Sequence, residues 1–271
     1  MKTTFLQIRL PTGFGSKHEA AATAYLADQL RTREAWAVAF DAFDLLDQAI
    51  LITDDGQRTF RDFYHQVVDQ PMANRYLREL MNLNDVEEQS PTIWARYARG
   101  IVQEITARNL HRPDVPASRL LLSYLLYWWG AFARGYALEV TVYRDLQRSG
   151  VHFQAHDLLE PMERYSASDL TVSDMAGDIK TSVYFVQAAR QLRHDFYIVR
   201  LWVRGRAYTL VVLLQPAAWD TIDGDTLAGS LEDVVDLLPA PVRLRHQGHD
   251  LVVLDYADWK QRILRYQGVD Q

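Results

Sequence analysis

Gly177-Asp178-Ile179-Lys180-Thr181-Ser182, preceded by Ser168-Asp169-Leu170-Thr171-Val172, is the part of this chain that decides its fold class. Side chains alternate along a strand, so Asp178 and Lys180 are expected on one face while Ile179 turns into the core. Asp169 to Val172 is expected as the preceding strand, with Gly177 at a turn and Asp178 to Ser182 as the next strand. The short separation of Asp169 from Asp178 demands a tight hairpin. A carboxylate beside an ammonium on one strand suits phosphodiester hydrolysis. The carboxylate can hold Mg²⁺, which takes oxygen ligands at about 2.0–2.1 Å, and the lysine can orient water or share developing charge.

Upstream, Ser118 can cap a long helix that runs to about Arg148 and stops at Gly150. It carries Glu139 among Leu138, Val140, Val142 and Leu146, and an acid in such apolar company needs a partner or a metal. Val151 to Leu159 reads as a strand. Downstream, Val183 to Arg193 suits a helix. Phe196 to Val203 and Ala207 to Leu214 are β-prone runs joined by Arg204-Gly205-Arg206, a hairpin signature. Val242 to Arg245 and Leu251 to Asp255 are expected to pair around Gly248, before a helix from Asp258 to Tyr266.

The first hundred residues read mainly as helix, over Lys17 to Thr32, Ala35 to Leu46, Phe60 to Val68, Met72 to Asn82 and Thr92 to Asn109. A short strand, Ala49 to Thr53, precedes the turn signal Asp54-Asp55-Gly56. Two prolines in Arg112 to Pro116 oppose helix continuation and mark a boundary. The expected organisation is a mainly helical N-terminal region, 1–112, suited to recognition or interaction, followed by a second region, 117–271. The fold class is α/β, or a mixed α+β arrangement.

Asp169 followed by Asp178-Ile179-Lys180 resembles the motif of the PD-(D/E)xK, restriction-endonuclease-like nucleases. The resemblance spans roughly Ser118 to Leu214 and includes the order acidic helix, three strands, helix, strand. It implies a central mixed sheet flanked by helices and Mg²⁺-dependent cleavage of DNA, with Mn²⁺ as an alternative cation. Asp169 and Asp178 would be metal ligands, Lys180 the catalytic lysine, and Glu139 the helix acid that serves as auxiliary ligand or base. Gln187 and Gln191 resemble a glutamine position found beside the site in some relatives. Ser168 stands where the motif has proline, and Asp174 and Asp157 are alternative second ligands. Family members often cut both strands as dimers, which brings a homodimer into view.

Each residue also has a plainer reading. Asp178 and Lys180 would form a pair on a solvated strand, and Glu139 would pair with Arg134, Arg144 or Lys180. His152, Gln154 and His156 share one strand face as a metal cluster, a cleft lining or exposed residues. Two rivals to the nuclease follow. One is a non-catalytic DNA-binding or assembly subunit of the same fold, with Asp178 and Lys180 ion-paired. The other is an α+β protein-interaction module.

A net charge of -6 requires that any phosphate contact come from a local patch. Thr92 to Gly150 supplies one, with arginines 96, 99, 108, 112, 119, 134, 144 and 148 against only four acids. Arg190, Arg193, Arg200, Arg204 and Arg206 form another, whereas the acidic segment from Gln215 is expected away from substrate. The absence of cysteine excludes disulfides and thiolate metal sites. The N-terminus lacks a signal-peptide pattern. Leu120 to Ala133, the most apolar stretch, falls short of the roughly 20 residues a span needs, so a cytoplasmic, non-membrane protein is expected. Trp128 and Trp129 suit a core. Gly13-Phe14-Gly15-Ser16-Lys17 lacks P-loop order, Asp223-Gly224-Asp225 lacks a calcium loop's remaining ligands, and no Gly-x-Ser-x-Gly elbow occurs.

Overall fold

The computed structural model describes residues 7–160, 162–163, 166, 168–181, 193–214, 227–228, 231–246 and 249–269. The chain forms two compact units, Met1–Ala133 and Arg134–Gln271. The division falls inside a helix rather than at the Arg112 to Pro116 connector. Helices and strands mix throughout, as the α/β class requires. Among the described residues no helix is long and apolar enough to cross a membrane.

The first unit holds a three-stranded antiparallel sheet of β1 (Gln7–Arg9), β2 (Ile50–Thr53) and β3 (Gly56–Thr59), together with helices. These are α1 (Ser16–Leu26), α2 (Arg33–Leu46), α3 (Phe60–Tyr64), α4 (Gln70–Leu80), α5 (Val86–Ala107) and the first part of α6 (Pro116–Arg148). Between α3 and α4, His65–Asp69 widens into a π-helical turn with helical backbone at both junctions, so the two helices expected over Phe60 to Val68 and Met72 to Asn82 run on without a break. Helix α5 begins before Pro91, not after it, because the Asp85 side chain accepts the Glu88 amide at 3.0 Å and caps the end. Trp129 is fully buried, packed on Tyr76 and stacked with Tyr97 and Phe132, which supports the core reading of that aromatic run.

Helix α6 starts on Pro116, whose missing N–H falls where no helical partner exists. Ser118 is therefore not its cap. Its buried hydroxyl donates to the Leu110 carbonyl at 2.6 Å and accepts the Arg112 amide at 2.7 Å, closing the connector. At the other end Gly150 adopts φ +79. There the Val151 and Gly150 amides return to the Leu146 and Gln147 carbonyls, a left-handed stop with Leu146 and Val151 both buried.

The second unit is built on an eight-stranded mixed sheet in the order β4-β5-β6-β7-β8-β11-β10-β9. Its strands are β4 (Gln154–Ala155), β5 (Leu170–Val172), β6 (Met175–Lys180), β7 (Phe196–Val203), β8 (Arg206–Leu213), β9 (Leu227–Ala228), β10 (Val242–His246) and β11 (His249–Asp255). Helices α7 (Leu231–Val234) and α8 (Tyr256–Tyr266) complete the described elements. Two hairpins close on two-residue loops with positive φ at both positions, Ser173-Asp174 and Arg204-Gly205. That conformation matches the strand twist.

Gly177 thus lies within β6, opposite Leu170, and the turn falls at Ser173-Asp174. Glycine is required there for close approach, since a Cβ would lie 2.1 Å from the Phe196 ring. The strand expected over Val151 to Leu159 shrinks to two residues, because the Asp157 carboxylate turns the chain by accepting the Leu159 amide. The helix expected over Val183 to Arg193 falls almost wholly outside the described residues, as do Gln187, Gln191 and Asp223-Gly224-Asp225.

Strand β6 pairs parallel with β7, with Asp178 opposite Tyr197 and Lys180 opposite Val199. One apolar cluster joins Leu138, Val142 and Leu146 of α6 to Leu170, Ile179, Ile198, Val211 and Trp259. A second joins Tyr197, Val199, Leu210, Val212, Val242 and Val253. Alternate β7 residues feed different clusters, the mark of a sheet buried on both faces. Burying each such side chain contributes about 1.5–3 kcal/mol, and this packing fixes β6, which carries Asp178 and Lys180, and β5, which Asp169 precedes.

Candidate metal centre

All the acidic candidates lie in the second unit and come from separate elements. Helix α6 presents Glu139, the chain before β5 presents Asp169, and β6 presents Asp178 and Lys180. Both Glu139 and Asp178 are buried, at 7% and 8% exposure. Ile179 enters the apolar cluster, while the Lys180 ammonium lies 2.5 Å from Asp178 Oδ1, so period-two alternation holds along this segment.

Asp169 is locked to the same strand. Its Oδ2 accepts the Ile179 amide at 2.7 Å, its own amide donates to Gly177, and its carbonyl accepts the Tyr143 hydroxyl at 2.8 Å. Burial pushes its carboxyl up to about 8, reinforced by a hydrogen bond with Asp178 and the charges of Glu139 and Asp178, with Lys180 acting against them. A proton held on Asp169 relieves the repulsion from its acidic neighbours, as a cation there would.

His156 completes the centre. One ligand atom each from Glu139, His156 and Asp169 lies within 4.8 Å of the others. Two metal–ligand arms of about 2.1 Å span about 4.2 Å at most, so modest inward settling would bring all three onto one ion. Glu139 Oε2 and His156 Nε2 are buried and lack a hydrogen-bond partner among the described residues, although 3.5 Å apart. That separation exceeds a hydrogen bond but leaves two polar atoms aimed at one space. Burial works to lower the His156 pKa, but the neighbouring Glu139 carboxylate, the Ser168 carbonyl and Asp169 outweigh it and leave it raised. The donor set therefore fits a dication that replaces the protons.

His194, just before β7, places Nε2 3.8 Å from Asp178 Oδ2 and packs edge-on against Tyr197. It carried no sequence signal, since its approach depends on the β6–β7 register. Asp174 lies exposed in the hairpin turn and Asp157 is an exposed turn former, so neither joins the cluster. His152 is exposed, its backbone tied to Gln267, and does not share the centre with His156. The strand face expected to be shared by His152, Gln154 and His156 does not form, because the strand covers only Gln154–Ala155.

Several arginines counted as phosphate contacts are already engaged. Arg96 pairs with Glu79, Arg108 with Glu104 and Arg204 with Asp236, while Arg119 donates to the Pro113 carbonyl. Comparison with known proteins finds no matching family model, no matching curated protein and no matching solved structure.

Proposed function

We propose that the second unit is a metal-dependent nuclease centre hydrolysing phosphodiester bonds of nucleic acid, DNA in the first instance. The observation carrying this reading is the convergence of Glu139 from helix α6 and Asp169 from the start of β5 on Asp178 and Lys180 of the interior strand β6. Glu139, His156 and Asp169 would hold a divalent cation, with Asp178 hydrogen-bonded to Asp169 at its margin. When bound, such a cation lowers the pKa of water and stabilises charge on phosphoryl oxygens.

Lys180 is the most accessible member, with a side chain 39% exposed, so its ammonium can meet a phosphate entering from solvent. It would orient the water whose oxygen attacks phosphorus and balance the charge gathering as the P–O bond to the leaving oxygen breaks. Asp178 holds that ammonium in place. The Ile179 amide, engaged by Asp169, keeps the acidic residue from turning away.

A second reading has its own support. The closed Asp178–Lys180 pair is what a non-catalytic DNA-binding or assembly subunit would display. Cleavage of plasmid and single-stranded DNA with Mg²⁺ or Mn²⁺, by wild type, Asp178→Ala and Lys180→Ala, separates them. Metal-dependent cleavage lost in both variants is expected. Inactivity of the wild type on DNA and RNA would overturn the nuclease and favour the binding subunit.

A further inference from the structure

We infer that His156 is a direct metal ligand, so that the centre selects a first-row transition-metal dication over Mg²⁺. The inference rests on the proposed metal centre and goes beyond it by assigning the cation. The backbone argues first. His156 Nδ1 faces the Ser168 carbonyl at 3.4 Å and the Ser166 hydroxyl at 3.2 Å. A carbonyl can only accept, and the Ser166 hydroxyl gives its own proton to that carbonyl at 2.7 Å, so Nδ1 faces two acceptors and carries the proton in the neutral ring, leaving the Nε2 lone pair free. The His156 amide also donates to the Asp169 carbonyl, tying this residue to the segment bearing the acidic ligand.

Burial argues next. The His156 side chain is only 6% exposed and that of Glu139 10%, and the two orphaned atoms point at each other with Asp169 alongside. Structural burial of an imidazole normally ends in a hydrogen bond at each nitrogen. Here one nitrogen is held by the Ser168 carbonyl and the Ser166 hydroxyl, and the other faces only the Glu139 carboxylate, 3.5 Å away and without a hydrogen bond. This is how ligating histidines are oriented, with the far nitrogen fixed so that the near one aims at the metal.

Donor chemistry then selects the ion. Mg²⁺ is hard, prefers oxygen and keeps several waters, whereas imidazole suits transition metals, and affinity rises along the series from Mn²⁺. Two carboxylates and one neutral imidazole also balance a dication's charge, which matters where little water reaches.

Mn²⁺ is the probe because its electron spin reports directly on ligand nitrogen. Mn²⁺ is titrated into the full chain by electron paramagnetic resonance, with Mg²⁺ as competitor. Spin-echo modulation from nitrogen is then recorded with natural and ¹⁵N-histidine protein. Tight Mn²⁺ binding is expected, with Mg²⁺ at least about ten-fold weaker. The nitrogen modulation is expected to shift on ¹⁵N labelling and to survive His194→Gln. In His156→Gln, which keeps an oxygen donor, it is expected to vanish and the preference to fall about ten-fold. No Mn²⁺ binding, no nitrogen modulation in wild type, modulation that persists in His156→Gln, or equal competition by Mg²⁺ would each overturn the inference. Should His156→Gln fail to fold, the labelled wild type and His194→Gln still decide, because modulation lost in His194→Gln overturns it as well. None of these readouts needs cleavage. Nitrogen-bound Mn²⁺ without nuclease activity sinks the nuclease alone, and cleavage without nitrogen coupling sinks this assignment alone.

Discussion

The ring of Phe196 occupies the space that a side chain on Gly177 would need, 2.1 Å from the position of a Cβ. Gly177 and Phe196 are also register partners across the parallel β6–β7 pair. The contact sets how closely the strand carrying Asp178 and Lys180 approaches β7. Phe196 is fully buried, so its ring cannot swing into solvent to make room. Gly177→Ala is therefore expected to destabilise the protein by about 1–3 kcal/mol. Denaturant unfolding checks this, and an unchanged midpoint would show that the ring relocates freely.

Lys180 separates chemistry from folding. Its side chain is 39% exposed, and His194 remains near Asp178 when Lys180 is removed. Lys180→Met is expected to lower cleavage by about 100-fold or more, while stability changes by less than about 1 kcal/mol. Parallel rate and melting measurements decide, and a large melting shift would make the pair structural.

Asp169 and His156 give the metal-free protein a pH signature. A carboxyl with a folded pKa above its unfolded value binds more protons in the fold across the interval between them. Stability then falls as pH rises from 3.8, its ordinary value, to about 8. The raised His156 acts in the same direction, its contribution being complete below 6.5 and lost as pH climbs through the folded value. Melting temperature in chelator is thus expected to drop with rising pH over this window, and Asp169→Asn should flatten the profile. Added Mn²⁺ should stabilise more at pH 8 than at pH 6, since it displaces those protons. A flat wild-type profile in chelator would contradict the burial-driven shift.

Ser118 offers a test away from the centre. Its hydroxyl serves both the Leu110 carbonyl and the Arg112 amide from a buried position. Ser118→Ala should cost about 1–3 kcal/mol by leaving them unsatisfied, more than an exposed helix cap would lose on the same change. Equilibrium unfolding of this variant checks the assignment, and a change of only a few tenths would return Ser118 to a marginal role.

Much of this was readable along the chain because it depends on neighbours in sequence. The β7–β8 hairpin follows from two β-prone runs around Arg204-Gly205, and the length of α6 from its apolar spacing and Gly150. The shared face of Asp178 and Lys180 follows from alternation alone. Local pattern also misled: the helix expected from Thr92 starts at Val86, where the Asp85 side chain caps it by accepting the Glu88 amide. Gly177 looked like a turn because glycine usually is one, whereas its demand came from Phe196, nineteen positions away in the chain.

What residue order alone determined were the elements, their periodic faces and the types of side chain available for chemistry. Tertiary structure decided which of those side chains meet. The union of Glu139, His156 and Asp169, and the approach of His194 to Asp178, depend on helix packing, a parallel crossover and strand register. Those are set by burial of distant apolar residues, a non-directional force summed over the whole unit that no short stretch of sequence contains.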